Sequence, residues 1–100
     1  MKLKSLNIYS FPVRAKTDWL ILELISTEYI KGYSEITMSN YDQRTALISS
    51  VKKLIKILSE IDIENDEQLK NILETDKKET LSYNTAISGL RSACTDIFSK

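Results

Sequence analysis

DWLILELIST, residues 18–27, is the stretch on which the fold turns. Leu20, Leu22 and Leu24 alternate with Trp19, Ile21, Glu23 and Ile25, a two-residue period that puts three leucines on one face of a strand. Both faces are largely apolar, which predicts a central strand covered on both sides. The leucine face is assigned to helices of the same domain, leaving the Trp19 face for something else. Upstream, residues 3–12 alternate in the same way, with Leu6, Ile8 and Ser10 on one side and Asn7, Tyr9 and Phe11 on the other. Pro12 ends this strand or sits at a sheet edge, and PVRAKTD reads as a short polar connection. Downstream, STEYIKGYSEIT gives a turn and a third strand, about residues 30–37, although no Gly or Pro marks the turn at Thr27–Tyr29. Three strands with short connections predict an antiparallel meander.

The period then changes to 3.6. Leu47, Ile48, Val51, Leu54, Ile55 and Leu58 form one stripe of a helix over about residues 41–60, with Asn40 and Gln43 as a capping box and Lys52, Lys53 and Lys56 on the solvent side. A second helix, about 66–75, is capped by Asn65 or Asp66 and buries Leu69, Ile72 and Leu73. A third, about 82–99, carries the stripe Tyr83, Ile87, Leu90, Cys94 and Ile97. Its small residues Ala86, Gly89 and Ala93 would let another element approach closely. Strands and helices are segregated, so the expected class is α+β: a three-stranded antiparallel meander followed by a three-helix bundle, one domain over residues 1–100.

Composition excludes much chemistry. The 100 residues balance 14 basic against 14 acidic side chains, so no nucleic acid and no anionic membrane surface is expected as a partner. The longest apolar run, WLIL, is far too short to span a bilayer, and the start MKLKSLNIYS is not a secretory signal. A lone Cys94 fits a cytoplasmic location. With no His, one Cys, and Gly32 far from Gly89, there is no imidazole base, no Cys-based zinc site and no Gly-rich phosphate loop. Asp18 and Glu23 point to opposite faces of one strand and make no carboxylate pair. No catalytic residue and no metal ligand is expected in this chain.

Three stretches together resemble the N-terminal capping domain of the enolase superfamily, in its mandelate racemase and muconate-lactonizing branch. MKLKSLNIYSFPVR is similar to that family's opening strand, M-K-I-x-x-[IV]-x-x-[FY]-x-V-R. WLILELISTEYIKGYSEI is similar to its strand-turn-strand, and AISGLRSACTDIFSK to A-[IL]-S-A-[IL]-D-x-A-L-W-D-[IL]-x-G-K. No single word is specific; their order along the whole chain is more so. There are departures. Tyr29 replaces a turn glycine and Ser34 the glycine before Glu35, while Arg91, Thr95 and Ser99 stand where the family has Asp, Trp and Gly.

The resemblance implies a lid. In that family a C-terminal (β/α) barrel follows the last helix, so the chain's end at Lys100 is read as a domain boundary, with the barrel absent here. The barrel would remove a proton alpha to a carboxylate, with magnesium held by barrel carboxylates. The expected activity is that of an acid-sugar dehydratase, racemase or isomerase, with no turnover by residues 1–100 alone. The substrate would be a small carboxylate, a sugar acid given the short first loop RAKTDW. Substrate-lining positions implied by the family's loops are Arg14, Lys16, Asp18, Trp19, Thr37 and Met38. Glu35, Arg91 and Thr95 are implied as cap–barrel contacts. Each has a plainer reading: Trp19 packs, Arg14 and Lys16 are solvated, Met38 fills a gap and Cys94 is core. The competing reading is a free-standing or divergent interaction module of the same fold, binding a protein through the Trp19 face and the small-residue helix face. Under either, an apolar surface is left bare and homo-oligomers are expected.

Overall fold

Side-chain alternation in the second strand sorts the molecule into two sides. The computed structural model describes residues 1–14, 17–38, 44–75 and 81–100. Strands β1 (Leu3–Arg14), β2 (Thr17–Ser26) and β3 (Lys31–Met38) form one antiparallel sheet in the order β1-β2-β3. Helices α1 (Arg44–Leu58), α2 (Asp66–Thr75) and α3 (Leu81–Phe98) follow. Leu20, Leu22 and Leu24 are each at most 1% exposed. They share a core with Leu47, Val51, Leu54 and Leu58 of α1, Leu69 and Leu73 of α2, and the full predicted stripe of α3. The α+β meander-plus-bundle is therefore the fold.

The third strand lies almost flush on the last helix. A Cβ built on Gly32 would land on the Ala93 carbonyl oxygen and the Ile97 side chain. One built on Gly89 would sit 2.6 Å from Ile36 Cδ1 and 3.1 Å from Leu22 Cδ1. The Ser34 hydroxyl, buried between them, donates 2.8 Å to the Gly89 carbonyl oxygen. The small residues of α3 are thus consumed by the chain's own sheet. This corrects the expectation that they form a face for a partner: Ala86 and Ala93 are completely buried. The same helix closes the outer edge of β3. The Tyr33 backbone N–H donates 2.9 Å to Asp96 Oδ2, and the Lys100 ammonium donates 2.7 Å to the Lys31 carbonyl oxygen. Capping an exposed edge with charged side chains blocks further strand pairing there.

As the alternation of β2 predicts, the helices cover its leucine face, and the Trp19 face carries no element of the described residues. Of the two readings of Pro12, the sheet-edge one holds: β1 does not stop there but runs to Arg14, with a register shift between the two. Pro12 is tolerated because β1 is an edge strand. Tyr33 turns its N–H away from β2, so alternation makes Glu23 bond β1 through Asn7 and points the backbone of Leu6, Ile8, Ser10 and Pro12 outward. A missing N–H at an outward position costs no ladder bond. The Asn40–Gln43 capping box lies outside the described residues. Asn65, not Asp66, caps α2: its Oδ1 accepts from the Gln68 N–H at 2.8 Å, while Gln68 Oε1 accepts from the Glu64 N–H at 2.6 Å. The β2–β3 turn closes without glycine because Tyr29 takes a left-handed φ of 65° and Ser26 Oγ accepts from the Glu28 and Ile30 N–H groups.

The two glycines should respond differently. Gly32→Ala meets immovable backbone and is expected to lose about 3 kcal/mol or more. Gly89→Ala meets only flexible side-chain ends, and the better helix propensity of alanine, about 1 kcal/mol, offsets much of the crowding. Urea denaturation of both variants checks this; equal losses would show that the contact at Gly32 is not the tight one.

Candidate functional site

The uncovered face of the sheet is built from alternate residues of three strands. The register places them in rows: Phe11–Trp19–Thr37, Tyr9–Ile21–Glu35 and Asn7–Glu23–Tyr33. Phe11, Tyr9, Tyr33 and Trp19 are 50%, 45%, 43% and 42% exposed, an unusual run of large rings on one solvent-facing surface.

Glu23 sits in the middle of this face and is only 7% exposed. Its Oε1 accepts from Asn7 Nδ2 at 2.9 Å and from the Tyr9 hydroxyl at 3.3 Å. The Asn7 hydrogen bond, then one from Tyr33, holds its carboxyl below the ordinary value, with Lys31 nearby adding to this and burial opposing it. The same carboxylate pushes the phenols of Tyr9 and Tyr33 up. Aromatic hydroxyls and an amide thus stand in for a cation in satisfying a buried charge.

At one end of this face the structure gathers several positions named from the sequence. Trp19 pairs with Thr37, Asp18 with both Pro12 and Met38, and Arg14 with Thr17. The backbone therefore brings Arg14, Asp18, Trp19, Thr37 and Met38 to a single end of the sheet. The side chains of Arg14, Asp18 and Met38, and all of Lys16, lie outside the described set. Glu35 is exposed on the same outer face, two residues from Thr37. Arg91 and Thr95 are elsewhere, one turn apart on α3, beside α2. Arg91 grips Asp66 with two bonds, Nε–Oδ1 at 3.2 Å and Nη2–Oδ2 at 2.8 Å, so it ties α3 to the first turn of α2. The Thr95 hydroxyl donates to the Arg91 carbonyl oxygen at 2.9 Å. The three implied cap–barrel residues therefore do not form one cluster.

Asn7, Tyr9 and Tyr33 escaped the sequence reading as site residues. The signal lay in the register: each is one strand from Glu23, and pairing could not be fixed before the turns were known.

A magnesium ion does not fit the described residues: no group of three or more carboxylate, thiol or imidazole side chains among them is placed to hold a metal ion. The carboxylates that stand out are already engaged: Glu23 by Asn7 and two phenols, Asp66 by Arg91, Asp96 by the Tyr33 N–H and Lys100, and Asp62 by the Met1 ammonium at 2.6 Å. Burial pushes the Cys94 thiol up to about 12, so it is an inert core residue. No helix of the described residues is long and apolar enough to cross a membrane.

Glu23 has a folded-state pKa below its ordinary 4.5, so it favours the native state above that pH and loses this contribution as pH falls through 4.5 toward the folded value. Glu23→Gln is expected to be less stable than the parent at pH 7, with the gap narrowing in acid. Chemical denaturation at pH 7 and pH 3.5 measures both; a gap independent of pH would remove the buried charge from the argument.

No family model matches the sequence, and no curated protein matches it. Solved structures do share the fold. A mandelate racemase/muconate lactonizing enzyme-like protein from a Roseovarius species superposes with a TM-score of 0.74 at 21% identity, over 98% of this chain and 26% of its own. A mandelate racemase/muconate lactonizing enzyme from a Sulfitobacter species gives the same values. The chain spans about a quarter of the length of these proteins. At this identity the likeness is one of fold, that of the enolase N-terminal type.

Proposed function

We propose that this chain is the substrate-capping domain of an enolase-superfamily enzyme of the mandelate racemase and muconate-lactonizing branch, over residues 1–100. The observation that carries the reading is the superposition of nearly the whole chain, 98%, on only 26% of two such proteins. A C-terminal barrel would complete the molecule and supply the base and the magnesium for proton abstraction alpha to a carboxylate. This chain contributes no step of that chemistry. Its part is closure: the end of the sheet where β1 meets β2 and β3 finishes would cover the barrel mouth, exclude water and hold the far end of the substrate. Trp19 and Thr37, adjacent across β2 and β3, would line that end together with Arg14, Lys16, Asp18 and Met38. The first loop, RAKTDW in the sequence, is short, in keeping with a sugar acid rather than an aromatic substrate.

The test is genetic and calorimetric. The reading frame is expected to continue past codon 100 into a barrel with a K-x-K motif followed by spaced Asp and Glu at strand ends. The hundred-residue chain should give no turnover of sugar acids and no magnesium binding in the micromolar range. A stop codon directly after Lys100, or a micromolar magnesium site on the chain, would overturn the reading.

The exposed rings of Tyr9, Phe11, Trp19 and Tyr33 support a second reading, a free-standing module that binds a protein on its outer sheet face. Both readings require that face to be bare in the isolated chain. A hydrophobic dye such as anilinonaphthalene sulfonate should fluoresce on it, and the exposed pair Phe11→Ser/Trp19→Ser should remove most of the signal. A monomeric, dye-silent chain would count against both.

A further inference from the structure

The two edges of the sheet are treated differently. That of β3 is closed by Asp96 and Lys100 of the α3 end, whereas Leu6, Ile8 and Ser10 of β1 turn their backbone groups outward. Beside this edge, which no described residue pairs, runs a groove of about 580 Å³ between β1 and α1. Its floor is apolar, from Leu6 and Ile8 of β1 and the half-buried Ile48 and Ile55 of α1. Lys52 and Lys56, both exposed, stand along one rim with Arg44, and no carboxylate lines it among the described residues. The net charge of the chain is zero, so this concentration of cations is local rather than general.

We infer that the β1–α1 groove is a docking site for an extended acidic protein segment, which pairs with the free edge of β1 and sets its carboxylates against Lys52 and Lys56. Three features choose this occupant. The outward N–H and C=O groups of β1 ask for a strand, since edge pairing satisfies them in alternation. Leu6, Ile8 and Ser10 span five residues, roughly 17 Å at strand spacing, room for a short segment. The same three residues send their side chains to the groove, so an added strand would lay its inward side chains over α1. There an apolar residue would meet Ile48 or Ile55, and a carboxylate would meet a lysine ammonium. A second copy of β1 fits less well, because it would bring its own Lys52 and Lys56 toward the first pair. The inference does not depend on the capping assignment.

The probe is an acetylated, amidated, fluorescein-labelled seven-residue peptide, threonine at alternate positions and Glu, Val and Glu between them. Its controls replace both glutamates by lysine, or N-methylate alternate residues to remove edge hydrogen bonds. Fluorescence anisotropy with the hundred-residue chain should show saturable binding of the acidic peptide only, weakening as salt rises. Lys52→Glu/Lys56→Glu, two exposed positions, should weaken it by about tenfold or more. Amide resonances of Leu6 and Ile8 should shift on titration. Equal binding of the acidic and basic peptides, undiminished binding of the N-methylated one, or no binding at all would each overturn the inference. So would binding of phosphatidylserine vesicles by the chain with no response to the peptide, which would make the patch a membrane contact.

Discussion

The absence of a side chain at Gly32 is the constraint on which the rest depends. It lets β3 and α3 approach until Gly32 meets the Ala93 carbonyl oxygen and Ile36 fills the space over Gly89. With the helix this close, Ser34 reaches the Gly89 carbonyl and Asp96 reaches the free edge of β3. One short contact therefore fixes which face of the sheet is core, which edge is closed, and where the rings of the outer face stand. The Leu20, Leu22 and Leu24 face is pressed onto the bundle, and Trp19 and its neighbours are left outside. In a domain of this size the net stability is a small difference between large terms, so such a fixed point matters more than its area suggests.

Much of this was legible in the residues. The alternation of β2 named the inner leucines, and the 3.6 period of α1 and α3 named their partners, because burial imposes those periods directly. The small residues of α3 were legible as a close approach, but their partner was not: a helix pattern does not say which surface comes near. Pro12 illustrates a different limit. A proline ends a strand only where its N–H would be needed, and whether it is needed depends on which side faces the neighbour, a property of pairing rather than of sequence. Tyr29 is similar. The left-handed turn that a glycine would mark is held instead by the Ser26 hydroxyl and backbone, so the usual punctuation is missing. Glu23 was visible only as one polar residue on an apolar strand; the ring of Asn7, Tyr9 and Tyr33 that makes its burial possible comes from the register.

Composition averages hid the electrostatics. A formal charge of zero suggested a chain without preferences for charged partners. The structure segregates the charges: Lys52, Lys53 and Lys56 lie together on α1, whereas Asp62, Glu64, Asp66 and Glu67 gather around the start of α2. Fields act over a Debye length of about 8 Å in physiological salt, so clusters count and sums do not. The neutral total argues against a nucleic-acid backbone, which demands a continuous basic track, but not against a short acidic strand seated on one helix.

The electrostatics also fit the proposed capping role. A general base working near neutral pH needs a pKa near that pH. Among the described residues the perturbed carboxylates move the other way: Glu23, Asp62, Asp66 and Asp96 are held below their ordinary values by the donors around them. The thiol of Cys94 moves out of range in the opposite direction, to about 12. Carboxylates lowered in this way stay charged and orient neighbours, as Asp66 orients Arg91 across the α2–α3 junction. Fixed charges and the close Gly32 contact hold the sheet against its helices, and in the proposed capping role that would serve a substrate whose chemistry another domain carries out.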